Sequence, residues 1–228
     1  MDQGSTYLKI PGLLKPEELE QIENLLANAE FADGRLTATG AALQVKNNLQ
    51  LSRAGEIAQQ VENIVLNAVS QSPLIQAAVM PKIVLPPLFS RYTEGMYYGW
   101  HVDSPLTGQY PTIRADVSMT VFLNDPSEYE GGELVIQTEA GSLAYKLSKG
   151  DAIVYPTTRL HVVNPVKSGM RKVAVTWMQC AVREAHKREL LLQLNTAQQM
   201  MYQRSPNAPE YLMLQQVYSN LVRMWTEI

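Results

Sequence analysis

The chain has 228 residues, 46% hydrophobic and 18% charged, with 19 basic against 22 acidic side chains for a net charge of −3. That length and balance suit one large domain, or one domain with a helical appendage, and exclude a disordered chain. No basic run marks a nucleic-acid binder, the single cysteine, Cys180, rules out an internal disulfide and a cysteine-built zinc site, and no apolar run reaches the roughly 18–20 residues that span a bilayer.

The chain opens without a signal-peptide pattern, so a cytoplasmic protein is expected. Residues 1–80 read as mixed helix and short strand, a helical support for a core that follows. Pro16-Glu17-Glu18 opens a helix, because proline suits the first helical position and the acids favour the positive end of the dipole. Leu19, Ile22, Leu26 and Ala29 continue it at helical spacing. A second helix is expected from Ser52 to Val69, with Ile57, Val61, Ile64, Val65 and Ala68 on one face.

Residues 81–181 change character. Short β-rich runs, Leu88–Tyr92, Val117–Leu123, Glu133–Thr138, Ala152–Tyr155 and Lys172–Met178, are separated by glycine, proline and Asn/Asp clusters. That density of strands without intervening helices predicts an antiparallel sandwich or barrel. Residues 182–228 return to helix: Leu190, Leu191, Leu194, Ala197 and Met201 form one stripe, Ser205–Pro209 breaks it, and Val217, Leu221, Val222 and Trp225 form another. These stripes suit the chain's own sheet or a neighbouring chain, which leaves the oligomeric state open.

The chain has three histidines. In an extended backbone, residues two apart point to one side, so His101 and Asp103 converge. His161, 58 residues after Asp103, is the candidate for a third ligand, giving two nitrogens and one oxygen. An HxD pair is also common without any metal. Arg171 shares its strand face with Val173, Val175 and Trp177; a cation there is costly unless a buried anion meets it, and a guanidinium fork suits a carboxylate. The bland reading of Arg171 is a strand-end residue snorkelling to solvent. His186 reads as an exposed helical histidine. The alternation Arg114, Asp116, Ser118, Thr120 fits either a cavity lining or a solvent face.

Four stretches make the sequence recognisable: Arg91-Tyr92-Thr93-Glu94-Gly95 leading into His101-Val102-Asp103; Tyr129-Glu130-Gly131-Gly132-Glu133-Leu134; Gly150-Asp151-Ala152-Ile153-Val154-Tyr155-Pro156 leading to His161; and Arg171 through Trp177-Met178-Gln179. With these, and with the ending Val217–Trp225, the chain resembles the bacterial PKHD-type hydroxylases, relatives of the prolyl 4-hydroxylases in the iron(II)/2-oxoglutarate superfamily. The resemblance implies an α+β fold with a double-stranded β-helix (jelly roll, cupin-like) core flanked by N-terminal and C-terminal helices. It implies His101, Asp103 and His161 as iron ligands, Arg171 as the 2-oxoglutarate anchor, and Tyr92 as a phenol on the cosubstrate or a core tyrosine. Hydroxylation with O2 as oxidant, with succinate and CO2 as co-products and ascorbate as reductant, follows from the same resemblance. The substrate is a small molecule or a peptidyl residue. Two other classes share these residues: a zinc hydrolase using the same His/Asp/His set, and a non-catalytic binding or sensing protein.

Overall fold

A computed structural model describes residues 7–38, 40–53, 55–108 and 111–227. Near the N-terminus, helix Pro16–Ala27 starts where proline predicts, and the Glu18 carboxylate accepts from the Lys15 backbone N–H at 2.8 Å. The second expected helix runs Glu56–Gln71, four residues later than the pattern from Ser52 suggests; Ala54 lies outside the described residues. A short helix, Pro73–Ala78, follows it and is capped by the Ser72 hydroxyl, which accepts from Ile75 N. The chain ends on helices Ala185–Arg204 and Pro209–Trp225, packed on each other.

The strands form an eight-stranded and a five-stranded sheet and two small ribbons, all antiparallel. The large sheet runs Leu8–Ile10, Ala152–Pro156, Val117–Phe122, Arg171–Cys180, Leu88–Tyr92, Leu49–Leu51, Phe31–Asp33, with Pro81–Val84 paired to the far end of Arg171–Cys180. The smaller sheet runs Gly141–Tyr145, Leu134–Thr138, His161–Val163, Tyr97–His101, Lys46–Asn47.

This architecture corrects the expected double-stranded β-helix. The fold is α+β, but its sheets are open: among the described residues no strand of one sheet hydrogen-bonds to a strand of the other. The physical reason lies at the edges. The large sheet ends on three-residue strands, and the smaller one ends at Lys46–Asn47, two residues long, too short to carry a ladder across the corner. Lys46–Asn47 and Leu49–Leu51 are separated only by Asn48, yet they join different sheets.

Alternation along the central strands builds two cores. Val117, Met119, Val121, Ala152, Val154, Ala174 and Met178 face helices Pro16–Ala27, Glu56–Gln71 and Pro73–Ala78. From the other face, Tyr92, Phe122, Ile153, Tyr155 and Val173 meet Leu134, Ile136, Tyr145 and Val163 of the smaller sheet. Val117–Phe122 is therefore buried on both faces, which decides the alternation that periodicity left open: Thr120 points inward and lines a cavity, while Arg114 and Asp116 form an ion pair nearer the surface. Asp151 fastens the N-terminal strand, its carboxylate accepting from Gly12 N at 2.8 Å.

Candidate metal centre

His101 closes strand Tyr97–His101 and His161 opens strand His161–Val163, and the two are paired in register. Asp103 lies just past the end of its strand, but its carboxylate turns to the same point. Ligand atoms of His101, Asp103 and His161 all lie within 4.8 Å of one another, and Asp103 Oδ1 is 3.8 Å from His161 Nε2.

Both imidazoles are held in one tautomer by the backbone. Nδ1 of His101 donates to the Gly99 carbonyl at 2.8 Å, and Nδ1 of His161 donates to the Arg159 carbonyl at 3.0 Å. That leaves Nε2 as the atom each ring can offer to a metal. Tyr98 stacks on the His101 ring at 3.6 Å and Tyr155 meets the His161 ring edge-on at 5.2 Å, so both rings are also packed in place.

The electrostatics favour a cation. Burial, and then the neighbouring His161, push His101 down to about 3, so its ring is neutral at ordinary pH. Burial pushes the Asp103 carboxyl up, against the pull of His161. Hydrogen bonding from the Trp177 and Ser118 side chains also draws the carboxyl back down. A buried carboxylate facing two imidazoles is costly by itself and is relieved by a divalent ion. The residues fit a two-histidine, one-carboxylate centre with open positions, the donor set of non-haem iron(II) oxygenases.

A cavity of about 680 Å³ joins this cluster to Arg171. Arg171 does not snorkel: it is 1% exposed, its guanidinium lies 5.1 Å over the Tyr92 ring and 5.7 Å from the Phe122 ring, and its polar neighbours are the Tyr92 and Tyr129 phenols. A buried guanidinium fork that meets phenols and no paired carboxylate among the described residues suits an incoming carboxylate. Tyr92 also lines the cavity; burial raises its phenol against the opposing charge of Arg171. The structure thus brings together all five residues singled out from the sequence. His186, set aside there, is exposed on helix Ala185–Arg204.

Sequence reasoning missed the contribution of the N-terminal segment. Lys46, Asn48 and Gln50 line the cavity together with Thr37 and Ser90. Their spacing of two was the available signal, since it puts all three on one side of an extended segment.

Comparison with known proteins agrees with this geometry. Residues 87–179 match the family model of the 2OG-Fe(II) oxygenase superfamily, and residues 186–227 match that of the PKHD-type hydroxylase C-terminal domain. A PKHD-type hydroxylase of Picosynechococcus sp. is 46% identical over 97% of this chain and 100% of its own length. The chain belongs to the PKHD-type hydroxylases. This hydroxylase is accordingly an iron(II)- and 2-oxoglutarate-dependent dioxygenase. A second PKHD-type hydroxylase, from Thermosynechococcus vestitus, is also 46% identical, over 97% of this chain and 99% of its own. Among solved structures, a prolyl hydroxylase from Trichoplax adhaerens, in complex with a hypoxia inducible factor peptide fragment, shares the fold. Its TM-score is 0.54 at 17% identity, covering 82% of this chain and 87% of that one. Among the described residues of the hydroxylase, no helix is long and apolar enough to cross a membrane.

Proposed function

We propose that His101, Asp103 and His161 hold the iron(II), that Arg171 binds the far carboxylate of 2-oxoglutarate, and that the Tyr92 phenol hydrogen-bonds the same cosubstrate. When bound, iron(II) and 2-oxoglutarate supply oxidative decarboxylation, with O2 as oxidant and succinate and CO2 as products, coupled to hydroxylation of a C–H bond. The observation that carries this reading is that one cavity joins the metal-ligand cluster to Arg171, a buried guanidinium with no paired carboxylate among the described residues.

The chain's own residues have distinct tasks. The carbonyls of Gly99 and Arg159 hold the Nδ1 edge of each histidine and so aim its Nε2. Tyr98 and Tyr155 restrain the rings. Arg171, which opens strand Arg171–Cys180 and pairs with Tyr92 across the sheet, fixes the cosubstrate's reach from the metal. Ascorbate is the reductant that returns the iron to its ferrous state after uncoupled turnover, and the cytoplasm is the location in this reading. The hydroxylated group belongs to a small molecule or a peptidyl residue; the peptide complex of the Trichoplax relative supports the peptidyl case at the level of fold. Residues 81–181 are taken as the catalytic unit, with 1–80 and 182–228 packed on it.

The test is metal and cosubstrate binding in single variants. Calorimetric titration under anaerobic conditions is expected to show one iron(II) site in the wild type, lost in His101→Ala, Asp103→Ala and His161→Ala. Arg171→Met is expected to keep the iron and lose 2-oxoglutarate. Iron binding that survives all three ligand variants would overturn the assignment.

A further inference from the structure

Lys46 is a buried cation for which the fold offers no carboxylate. It sits on the edge strand paired with Tyr97–Tyr98, is 7% exposed, and lines the cavity. Nζ donates to Thr37 Oγ1 at 2.9 Å and lies 5.1 Å over the ring of Tyr98, the ring stacked on His101. The Thr37 hydroxyl donates onward to Gln50 Oε1, and Gln50 Nε2 donates to Ser90 Oγ at 3.2 Å. This chain of side chains holds the ammonium in one place.

Two carboxylates feel its charge, and neither takes it. Asp33 is gripped by the Arg35 guanidinium through both oxygens. Asp103 belongs to the metal cluster. Among the described residues, no carboxylate oxygen lies within ion-pair distance of Nζ. An ammonium has three donors; Thr37 accepts one, and the face of Tyr98 offers a cation–π contact but no anion. Burying an ammonium without an anion is expensive, so such groups are kept where a ligand supplies the anion. Burial lowers Lys46 to about 8, which leaves it charged at neutral pH.

The surroundings narrow the ligand. Ala41, Ala42 and Val45 line the cavity, as do Trp100, Val102 and Leu160, each about half exposed. With Arg171 taken by the cosubstrate, these are apolar surfaces beside one remaining point charge, which fits a monocarboxylate better than a phosphate, whose several oxygens ask for more donors.

We propose that Lys46 receives a carboxylate of the hydroxylated substrate, and that this substrate is a compact carboxylic acid with an apolar body. The inference rests on the reading that Arg171 binds 2-oxoglutarate and deepens it by assigning a second acid-binding point in the same cavity.

The probes are propionate and its uncharged analogue propionamide, titrated anaerobically into the protein loaded with iron(II) and 2-oxoglutarate, with the visible charge-transfer band as readout. Propionate is expected to shift the band saturably, and propionamide not at all. Lys46→Met should weaken propionate binding by ~10-fold or more, about 1.4 kcal/mol, and leave 2-oxoglutarate affinity within about 2-fold. Lys46→Arg should retain propionate binding. Equal responses to the two probes, or none, in the wild type overturn the proposal without reference to any variant. So does a Lys46→Met protein that binds propionate normally, or one that loses 2-oxoglutarate, which would give Lys46 to the cosubstrate. A wild-type protein with no iron–2-oxoglutarate band at all overturns the underlying reading as well, so the two failures are distinguishable.

Discussion

His101 and His161 are direct cross-strand partners on adjacent antiparallel strands, their ring centroids 4.2 Å apart. The sheet register itself therefore sets the spacing of the two nitrogen ligands, and Asp103 needs only to turn in from the strand end. His161→Ala leaves the register intact, because the backbone pairing does not use the ring. The expected result is iron(II) affinity reduced by more than about 100-fold, beyond the usual effect of losing a supporting contact, with little change in far-ultraviolet circular dichroism. A collapse of the fold in that variant would show that the rings, and not the ladder, hold these strands together.

The double glycine of the Tyr129–Leu134 stretch has a steric role. Gly131 and Gly132 have φ values of 73° and 65°. A Cβ on Gly131 would sit 2.2 Å from the Pro165 carbonyl oxygen, and one on Gly132 would sit 3.1 Å from Cδ of Arg171. Gly131→Ala should destabilise the protein by roughly 1–3 kcal/mol or more through strain and clash, seen as a lower melting temperature. Gly132→Ala carries backbone strain too, and should also weaken 2-oxoglutarate more than iron(II), because Arg171 Cδ, Tyr129 Cε2 and Val166 Cγ2 each lie 3.1 Å from the added Cβ. Equal losses of both ligands would contradict that role.

The two buried titrating ligands act on stability with opposite signs in the metal-free protein. His101 has its folded pKa depressed to about 3. Between there and about 6.5 the unfolded chain binds a proton that the folded one refuses, so this contribution is present above about 6.5 and fades as pH falls. Asp103 has its folded pKa raised. Its contribution is present below about 3.9 and is lost as pH rises through its folded value. Removing Asp103 by Asp103→Asn therefore should make the metal-free protein lose stability more steeply on acidification from pH 6.5 to 4, by up to about 1.4 kcal/mol per pH unit. His101→Gln should flatten or reverse the slope. Melting temperatures across that range, measured with chelator present, check both signs; identical slopes in all three proteins would refute the account.

Cys180 is fully buried, and burial pushes its thiol up to about 12. A thiol reagent at pH 8 should leave the native protein untouched and label it only as it unfolds, making the labelling rate a gauge of global opening. Rapid labelling of native protein would show that the seam between the sheet and the C-terminal helices opens locally.

Much of the site was legible because its chemistry is scarce in this sequence. With three histidines, a His-x-Asp pair and an arginine on an apolar strand face, few combinations could be drawn. The inward set Arg171, Val173, Val175, Trp177 is visible as alternation, and in the structure Arg171, Val175 and Trp177 do line the cavity. Strands of two to five residues such as Lys46–Asn47, Tyr97–His101 and His161–Val163 carry too little pattern to be read. Closure of the sheets was misjudged for a related reason: strand runs show which residues extend, whereas open or closed depends on hydrogen-bond partners at the edges. Lys46 escaped notice because its segment reads as part of a helical support, although the chain there crosses from one sheet to the other and turns its polar side into the cavity.

The most direct test of the central claim is anaerobic titration of the metal-free protein with iron(II) and 2-oxoglutarate while the visible spectrum is followed, with O2 then admitted. The account predicts a charge-transfer band that requires both additions, is absent in His161→Ala and Arg171→Met, and bleaches with release of succinate when O2 enters. A folded protein that gives no band, and purifies instead with tightly held zinc, would contradict it and favour hydrolytic chemistry at the same three residues.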